Sequence, residues 1–224
     1  MGSVESKQVE ARLLSSSPSK ANFNTSFNLY YDSMRHGLKF VIGEHKNEPS
    51  NIISLPGGWY GDLILYSGPD TDSAPLAAVK YGNRMGTYDE VRLPPKVPGQ
   101  GLIKEEIRSH LNGMNYAYTF AVPVGETGYP EKFEWRSSKT EEVKELGEMS
   151  RGWKLVRLNH GNEVVAVWSW TKLRWTMNKA AAFSFTNSGA SGELGNTFAL
   201  MAVTSFIRQY QKEIQATVTA GATG

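Results

Sequence analysis

Gly195-Asn196-Thr197-Phe198-Ala199-Leu200-Met201-Ala202-Val203-Thr204-Ser205-Phe206-Ile207 carries no charge, and Arg208 is the first charged residue after it. Wound as a helix, the apolar residues of this run point in nearly every direction. A helix that is apolar all round is covered on every side by protein or lies in a bilayer. The uncharged apolar run Phe198–Ile207 is about half the length that a membrane-spanning helix needs, roughly 20 residues. The run therefore predicts a helix over 195–214 enclosed by the rest of the chain. Ser191-Gly192-Glu193-Leu194-Gly195 supplies a flexible approach, and Ser191 or Asn196 can cap the first turn.

What precedes this helix reads as strands. Asn28–Tyr31, Lys39–Ile42, Leu63–Tyr66, Leu76–Tyr81, Glu90–Leu93, Tyr116–Val122, Lys132–Arg136, Trp153–Leu158, Val164–Trp170 and Ala181–Phe185 are short apolar or alternating runs. Turn sequences such as Ser67-Gly68-Pro69-Asp70, Gly82-Asn83 and Pro94-Pro95 separate them. Regular short strands indicate a sandwich or a barrel. Val164–Trp170 is apolar on both faces, with Val164, Ala166, Trp168 and Trp170 opposed to Val165, Val167 and Ser169, so both faces are expected to be covered. Acidic Glu141–Ser150 reads as a surface loop or short helix rather than a domain boundary. The expected fold is mainly β: a closed antiparallel barrel around a buried hydrophobic C-terminal helix. It forms one domain over 23–215, with a flexible polar leader over 1–22 and a fraying tail over 216–224.

Composition narrows the function. Hydrophobic residues make up 40% of the 224 and charged residues 21%, enough apolar material for a packed core. Lys plus Arg number 24 against 22 acids, a formal charge of +2, which argues against a dedicated nucleic-acid binder. Cys is 0, which removes disulfides, thiolate metal sites and a Cys nucleophile. There is no GxGxxG between a strand and a helix, no P-loop and no GxSxG elbow. His36, His45, His110 and His160 are scattered, so neither a metal site nor a cofactor is expected. Met1–Gln8 has no apolar signal core, and a soluble cytoplasmic protein is expected. Met1-Gly2-Ser3-Val4-Glu5-Ser6 fits the N-myristoylation pattern, a short one that also arises by chance; a single acyl chain gives only marginal membrane contact.

The order Tyr116–Phe120, Lys132-Phe133-Glu134-Trp135-Arg136, Trp153–Leu158, Val164–Trp168 and Gly189–Gly195 before a hydrophobic helix resembles the tubby C-terminal-like superfamily, and within it the LURP-one-like and fungal members. The resemblance covers about 27–214. It implies a closed antiparallel barrel of about twelve strands around a central helix. It also implies a lipid or membrane-surface role, since tubby domains bind phosphoinositide headgroups; their basic cluster has no residue-by-residue match here. The absence of Cys and of an acidic flank beside the last helix sets the chain apart from the phospholipid scramblases of the same fold.

The residues themselves suggest a site in the C-terminal half. Trp153, Trp168, Trp170 and Trp175 are interleaved with Lys154, Arg157, Lys172 and Arg174. Ordinary barrel core explains each tryptophan singly; as a group they suggest an apolar cavity with cations that hold or polarise an oxygen. Leu55-Pro56-Gly57-Gly58-Trp59-Tyr60-Gly61 reads as a lid or as a tight turn, and Lys80–Tyr88 as a basic-aromatic loop or a hairpin. The expected substrate-binding set is Trp59, Tyr60, Tyr118, Trp135, Trp153, Trp168, Trp170 and Trp175, with Arg174, Lys172 and Arg136 as catalytic cations. The function this suggests is a cofactor-independent cyclase, pericyclase (Diels-Alderase type) or isomerase of fungal natural-product chemistry acting on a hydrophobic small molecule. It would work by preorganisation and hydrogen-bond polarisation. The alternative is a phosphoinositide or lipid-binding module with peripheral membrane contact; a third possibility is a structural protein without a ligand.

Overall fold

The structure, a computed structural model, describes residues 4–32, 38–82, 87–113, 115–125, 128–147, 149–171 and 179–222. Twelve strands close into one antiparallel barrel, each paired to its neighbours in sequence, and the first pairs with the last. They are β1 (Ser26–Tyr31), β2 (Leu38–Gly43), β3 (Asn51–Leu55), β4 (Leu63–Tyr66), β5 (Pro75–Tyr81) and β6 (Tyr88–Leu93), followed by β7 (Ile103–Asn112), β8 (Asn115–Pro123), β9 (Pro130–Ser138), β10 (Gly152–Arg157), β11 (Glu163–Trp170) and β12 (Lys179–Phe185). The ten strands expected from the runs above are all present. Strands β3 and β7 are additional. Strand β3 follows directly on Pro49-Ser50, and β7 reads Ile-Lys-Glu-Glu-Ile, too charged to signal a strand.

The four helices are α1 (Val4–Leu14), α2 (Glu141–Gly147), α3 (Asn187–Ser191) and α4 (Gly195–Ala222). Helix α4 fills the barrel, and every residue from Leu200 to Gln211 is buried. Inward-facing Phe133, Trp135, Leu155, Trp168, Phe183 and Leu29 form one core with Phe198, Met201, Val203, Phe206 and Ile207 of the helix. The indole N–H of Trp135 donates to Ser205 Oγ at 2.9 Å and that of Trp168 to Gln209 Oε1 at 2.9 Å. These bonds fix the helix in rotation and depth, since a buried indole donor left unpaired is costly.

Both faces of β11 are covered, as its two-sided apolar pattern requires. Its inner face meets α4, and its outer face meets α2 and α3. The approach of α3 is close: a Cβ on Gly189 would stand 2.1 Å from the carbonyl oxygen of Val165, so only glycine fits there.

The leader departs from expectation. Residues 4–14, expected to be flexible, form α1, which lies on the outer face of the wall. Val9 and Leu13 pack there against Tyr30, Val41, Ile52, Ile64, Tyr66 and Ala78. Glu10 pairs with Arg92 and, at 3.3 Å, with Lys80. Arg12 donates to the carbonyls of Thr71, Asp72 and Ser73 at 3.0, 3.0 and 2.6 Å and lies over the Tyr66 ring. The polar composition of Val-Glu-Ser-Lys-Gln-Val-Glu-Ala-Arg concealed this, because the apolar contact described rests on Val9 and Leu13 and the rest of the contact is polar. At the other end, α4 runs on to Ala222, through most of the stretch expected to fray. Gly2 lies outside the described residues. Among those described, no helix is long and apolar enough to cross a membrane.

Leu13 is fully buried, so Leu13→Ala is expected to cost about 2–4 kcal/mol. Urea denaturation measures this; an unchanged midpoint would mean that α1 does not hold to the wall in solution.

Candidate functional site at the mouth around α4

Helix α4 leaves the barrel at the end where β1, β3, β5, β7, β9 and β11 finish and their partners begin. A collar of rings surrounds it there. Trp59 meets Tyr31 and Phe40 at centroid distances of 6.4 and 5.7 Å, and Phe40 meets Tyr210 at 5.8 Å. Tyr210 meets Trp170 at 4.8 Å, and Trp170 meets Trp168 at 5.4 Å. Trp168 stacks on Trp153 at 6.3 Å, and Trp153 meets Tyr118 at 5.7 Å. Hydroxyls of Tyr31 and Tyr210 share a hydrogen bond of 2.6 Å.

A buried ion cluster closes the circle. Arg208 and Asp89 are both fully buried, and Arg208 Nη2 donates to Asp89 Oδ1 at 2.8 Å. Lys212 Nζ stands 2.6 Å from Asp89 Oδ2, an ion-pair contact without hydrogen-bond alignment. Arg208 Nη1 donates to Gln211 Oε1 at 2.7 Å and to the Gly61 carbonyl at 3.2 Å. Its guanidinium lies 4.1 Å from the centroid of Tyr81. Lys212 sits 6.0 Å from the Tyr118 ring. Burial, reinforced by Glu213 and Asp89, pushes the Tyr118 hydroxyl well above the ordinary tyrosine range, so at neutral pH it remains a proton donor. Asp62, at the foot of the 57–61 loop, is raised by burial against the pull of Lys80, Arg208 and Arg92.

The loop over this mouth is Gly57–Gly61, with a single 3-10 turn at Gly58–Tyr60. It is pinched: a Cβ on Gly61 would lie 2.4 Å from Gly57 Cα. Gln211 Nε2 donates to the carbonyls of Trp59 and Gly61 at 2.7 and 3.1 Å, and Gln215 Nε2 donates to the Trp59 carbonyl and to Tyr81 Oη. Tyr60 is exposed, with its hydroxyl 3.3 Å from Thr219.

Of the expected residues, the structure brings Trp59, Tyr118, Trp153, Trp168 and Trp170 into this collar, with Tyr60 above it. Trp135 lies deeper, bonded to the helix. Arg136 does not join the site: with Phe133 and Trp135 turned inward, it lies on the outer wall and pairs with Glu134. Lys172, Arg174 and Trp175 lie outside the described residues, as do Arg84 and Met85 of the Lys80–Tyr88 segment. Sequence reasoning missed Asp89, Arg208, Gln211 and Lys212, while Tyr81 belongs to the Lys80–Tyr88 segment read as a basic-aromatic loop or a hairpin. Two signals were available: the spacing of Arg208, Gln211, Lys212 and Gln215, which puts a polar stripe on one side of a helix expected to be enclosed, and the alternation that sets Asp89 beside Val91 and Leu93. Among the described residues, no group of three His, Cys, Asp or Glu side chains is placed to hold a metal.

A second concavity, of about 720 Å³, lies in the wall between β7 and β8 and is lined by Lys104, Glu105, Arg108, Phe120, Lys132 and Leu158, among others. Burial, with a smaller push from Glu106, raises the Glu105 carboxyl to about 7.

In comparisons with known proteins, no family model, no curated protein and no solved structure matches the chain.

Removing one member of a buried ion pair strands the others. Asp89→Ala is expected to cost about 3 kcal/mol or more, whereas Asp89→Leu combined with Arg208→Met recovers most of the loss. Equal denaturation midpoints for wild type and Asp89→Ala would show that the cluster contributes nothing.

Proposed function

We propose that the protein is a cofactor-independent enzyme of cyclase, pericyclase or isomerase type. Its substrate is a hydrophobic small molecule with a carbonyl, held at the aromatic collar. The observation that carries this reading is the meeting of a ring-lined mouth with two proton donors, Lys212 and Tyr118, beside the buried Asp89–Arg208 pair. Rings supply apolar area and hold a flexible substrate in one conformer, so that much of the entropy of reaching the reactive geometry is lost on binding. Lys212, held by Asp89 at 2.6 Å, and the Tyr118 hydroxyl polarise the carbonyl. Access requires the 57–61 loop to lift, which breaks the hydrogen bonds from Gln211, Gln215, Arg208 and Tyr60 and the ring contacts of Trp59 with Tyr31 and Phe40. The barrel around a C-terminal helix supports the tubby-like resemblance, and a cytoplasmic site of action and the absence of a nucleic-acid partner belong to the same reading.

The test uses a polyene aldehyde such as all-trans-retinal as the probe. Saturable quenching of tryptophan emission is expected, with Lys212→Met weakening it about tenfold, the scale of one charge-assisted hydrogen bond. For a polyene carbonyl that the protein converts faster than buffer does, Tyr118→Phe is expected to lower the rate about a hundredfold, as loss of one oxyanion donor does. Failure of a panel of such compounds to bind or to react sinks the reading.

One observation favours the membrane alternative. Leu111 and Tyr116, paired across β7 and β8, are 67% and 61% exposed, and Tyr60 and Val218 are exposed at the same end. Sedimentation with phosphoinositide vesicles, weakened by Leu111→Asp, would support it.

A further inference from the structure

The hydrogen-bonded ladder of the barrel wall is interrupted at the seam between β7 and β8. Pairing of β7 with β8 runs from Asn112↔Asn115 only as far as Arg108↔Thr119. Beyond that, β7 pairs with β6 as far as Ile103, and β8 pairs with β9 as far as Pro123. Residues 103–107 of β7 and 120–123 of β8 therefore form facing strand edges with no ladder between them.

The groove of about 720 Å³ lies over this gap, within the range of small-molecule pockets, roughly 300–1,000 Å³. Its outer lining comes from outward-facing Lys104 and Arg108 of β7, Thr119 and Ala121 of β8, Lys132 of β9, and Leu158 just after β10. Through the gap it reaches two residues of the inner face, Glu105 and Phe120.

The charges select a ligand. Arg108 is paired with Glu106, and His110 lies 3.1 Å from Glu134. Among the described residues, neither Lys104 nor Lys132 has an anionic partner, and Glu105 has no cationic one. With Glu105 neutral, the groove carries two uncompensated ammonium groups beside an apolar floor. We propose that this seam groove is a binding site for an amphipathic organic anion, a single carboxylate on an apolar chain. The carboxylate sits between Lys104 and Lys132, and the chain lies along Ala121 and Leu158 towards Phe120.

The site is separate from the mouth around α4 and independent of the function assigned there. Glu105 makes it sensitive to pH. Its carboxyl is raised by burial, so it is neutral below about 7 and charged above. A charged Glu105 repels an anion in the groove, so affinity falls as pH rises through that value. The other charged groups facing the groove are Lys104, Glu106, Arg108 and His110 on β7 and Lys132 on β9. The lining from β8 and the position after β10 adds none, and α4 carries no charge before Arg208.

The experiment titrates the full chain with 11-(dansylamino)undecanoic acid and follows dansyl fluorescence. Saturable binding is expected, about tenfold tighter at about pH 6 than at about pH 8, the effect of one nearby charge. Lys104→Met with Lys132→Met should weaken it at least about tenfold; both side chains reach solvent, so the fold is retained. Glu105→Gln should keep acid-level affinity at both pH values, which separates Glu105 from His110. The methyl ester of the probe should not bind, and inorganic phosphate should not displace the acid. Absence of saturable binding, equal binding of acid and ester, displacement by phosphate, indifference to the lysine variants, or a pH dependence that survives Glu105→Gln would each overturn the proposal.

Discussion

A helix on the axis of a closed barrel has no side that faces water. What α4 carries between Leu200 and Gln211 therefore meets the wall or the helix itself, and Thr204 Oγ1, Arg208 Nε and Gln209 Nε2 are left without a hydrogen-bond partner among the described residues. Its apolar residues need rings and branched side chains pointing inward from every strand. Its polar ones need hydrogen-bond or charge partners at fixed heights, because an unpaired polar group in that interior is penalised. Ser205 and Gln209 meet indole nitrogens, and Arg208 meets a carboxylate from β6. The wall is thus matched to the helix in chemistry as well as in volume, and the helix cannot slip by a turn without breaking all three matches.

The same constraint makes the two ends of the barrel different. Towards the start of α4 the interior is almost wholly apolar, with Phe198 against Phe133 and Phe185. Towards the exit it becomes aromatic and charged. Burial there holds Tyr118 protonated, and Asp89 faces two cations at once. Polar chemistry enclosed on all sides interacts more strongly than the same groups would in water. The ligand site proposed above lies at the exit end for that reason, and not for the tryptophan count alone.

Much of this was legible in the chain. The uncharged run before Arg208 announced an enclosed helix, and alternation in Lys132–Arg136 opposed Phe133 and Trp135, which prove to face inward, to Lys132, Glu134 and Arg136. Other parts were not. Asp89 and Arg208 are 119 positions apart; alternation sets Asp89 on the same strand face as Val91 and Leu93, but nothing local names the cation that meets it. Arg136 was expected among the catalytic cations, yet it follows Trp135 directly, and adjacent residues on a strand face opposite sides. Helix α1 was hidden for the reverse reason: a helix lying on a wall needs only Val9 and Leu13, and two apolar residues among polar ones make a weak pattern.

The closure of the barrel bears on how it can form. Strand β1 joins β12, and Ser26 and Ser184, whose hydroxyls lie 2.7 Å apart, are 158 positions apart in the chain. The helix that fills the space follows all twelve strands in the chain. A finished cylinder cannot be threaded by its own plug, so strands and helix must collapse together, with the wall wrapping as its contents arrive. Contacts of such long sequence separation put this chain among slow folders. Until its final residues are available, the inward rings of every strand have no helix to cover them, and that interval is when the chain is most open to association with other copies of itself.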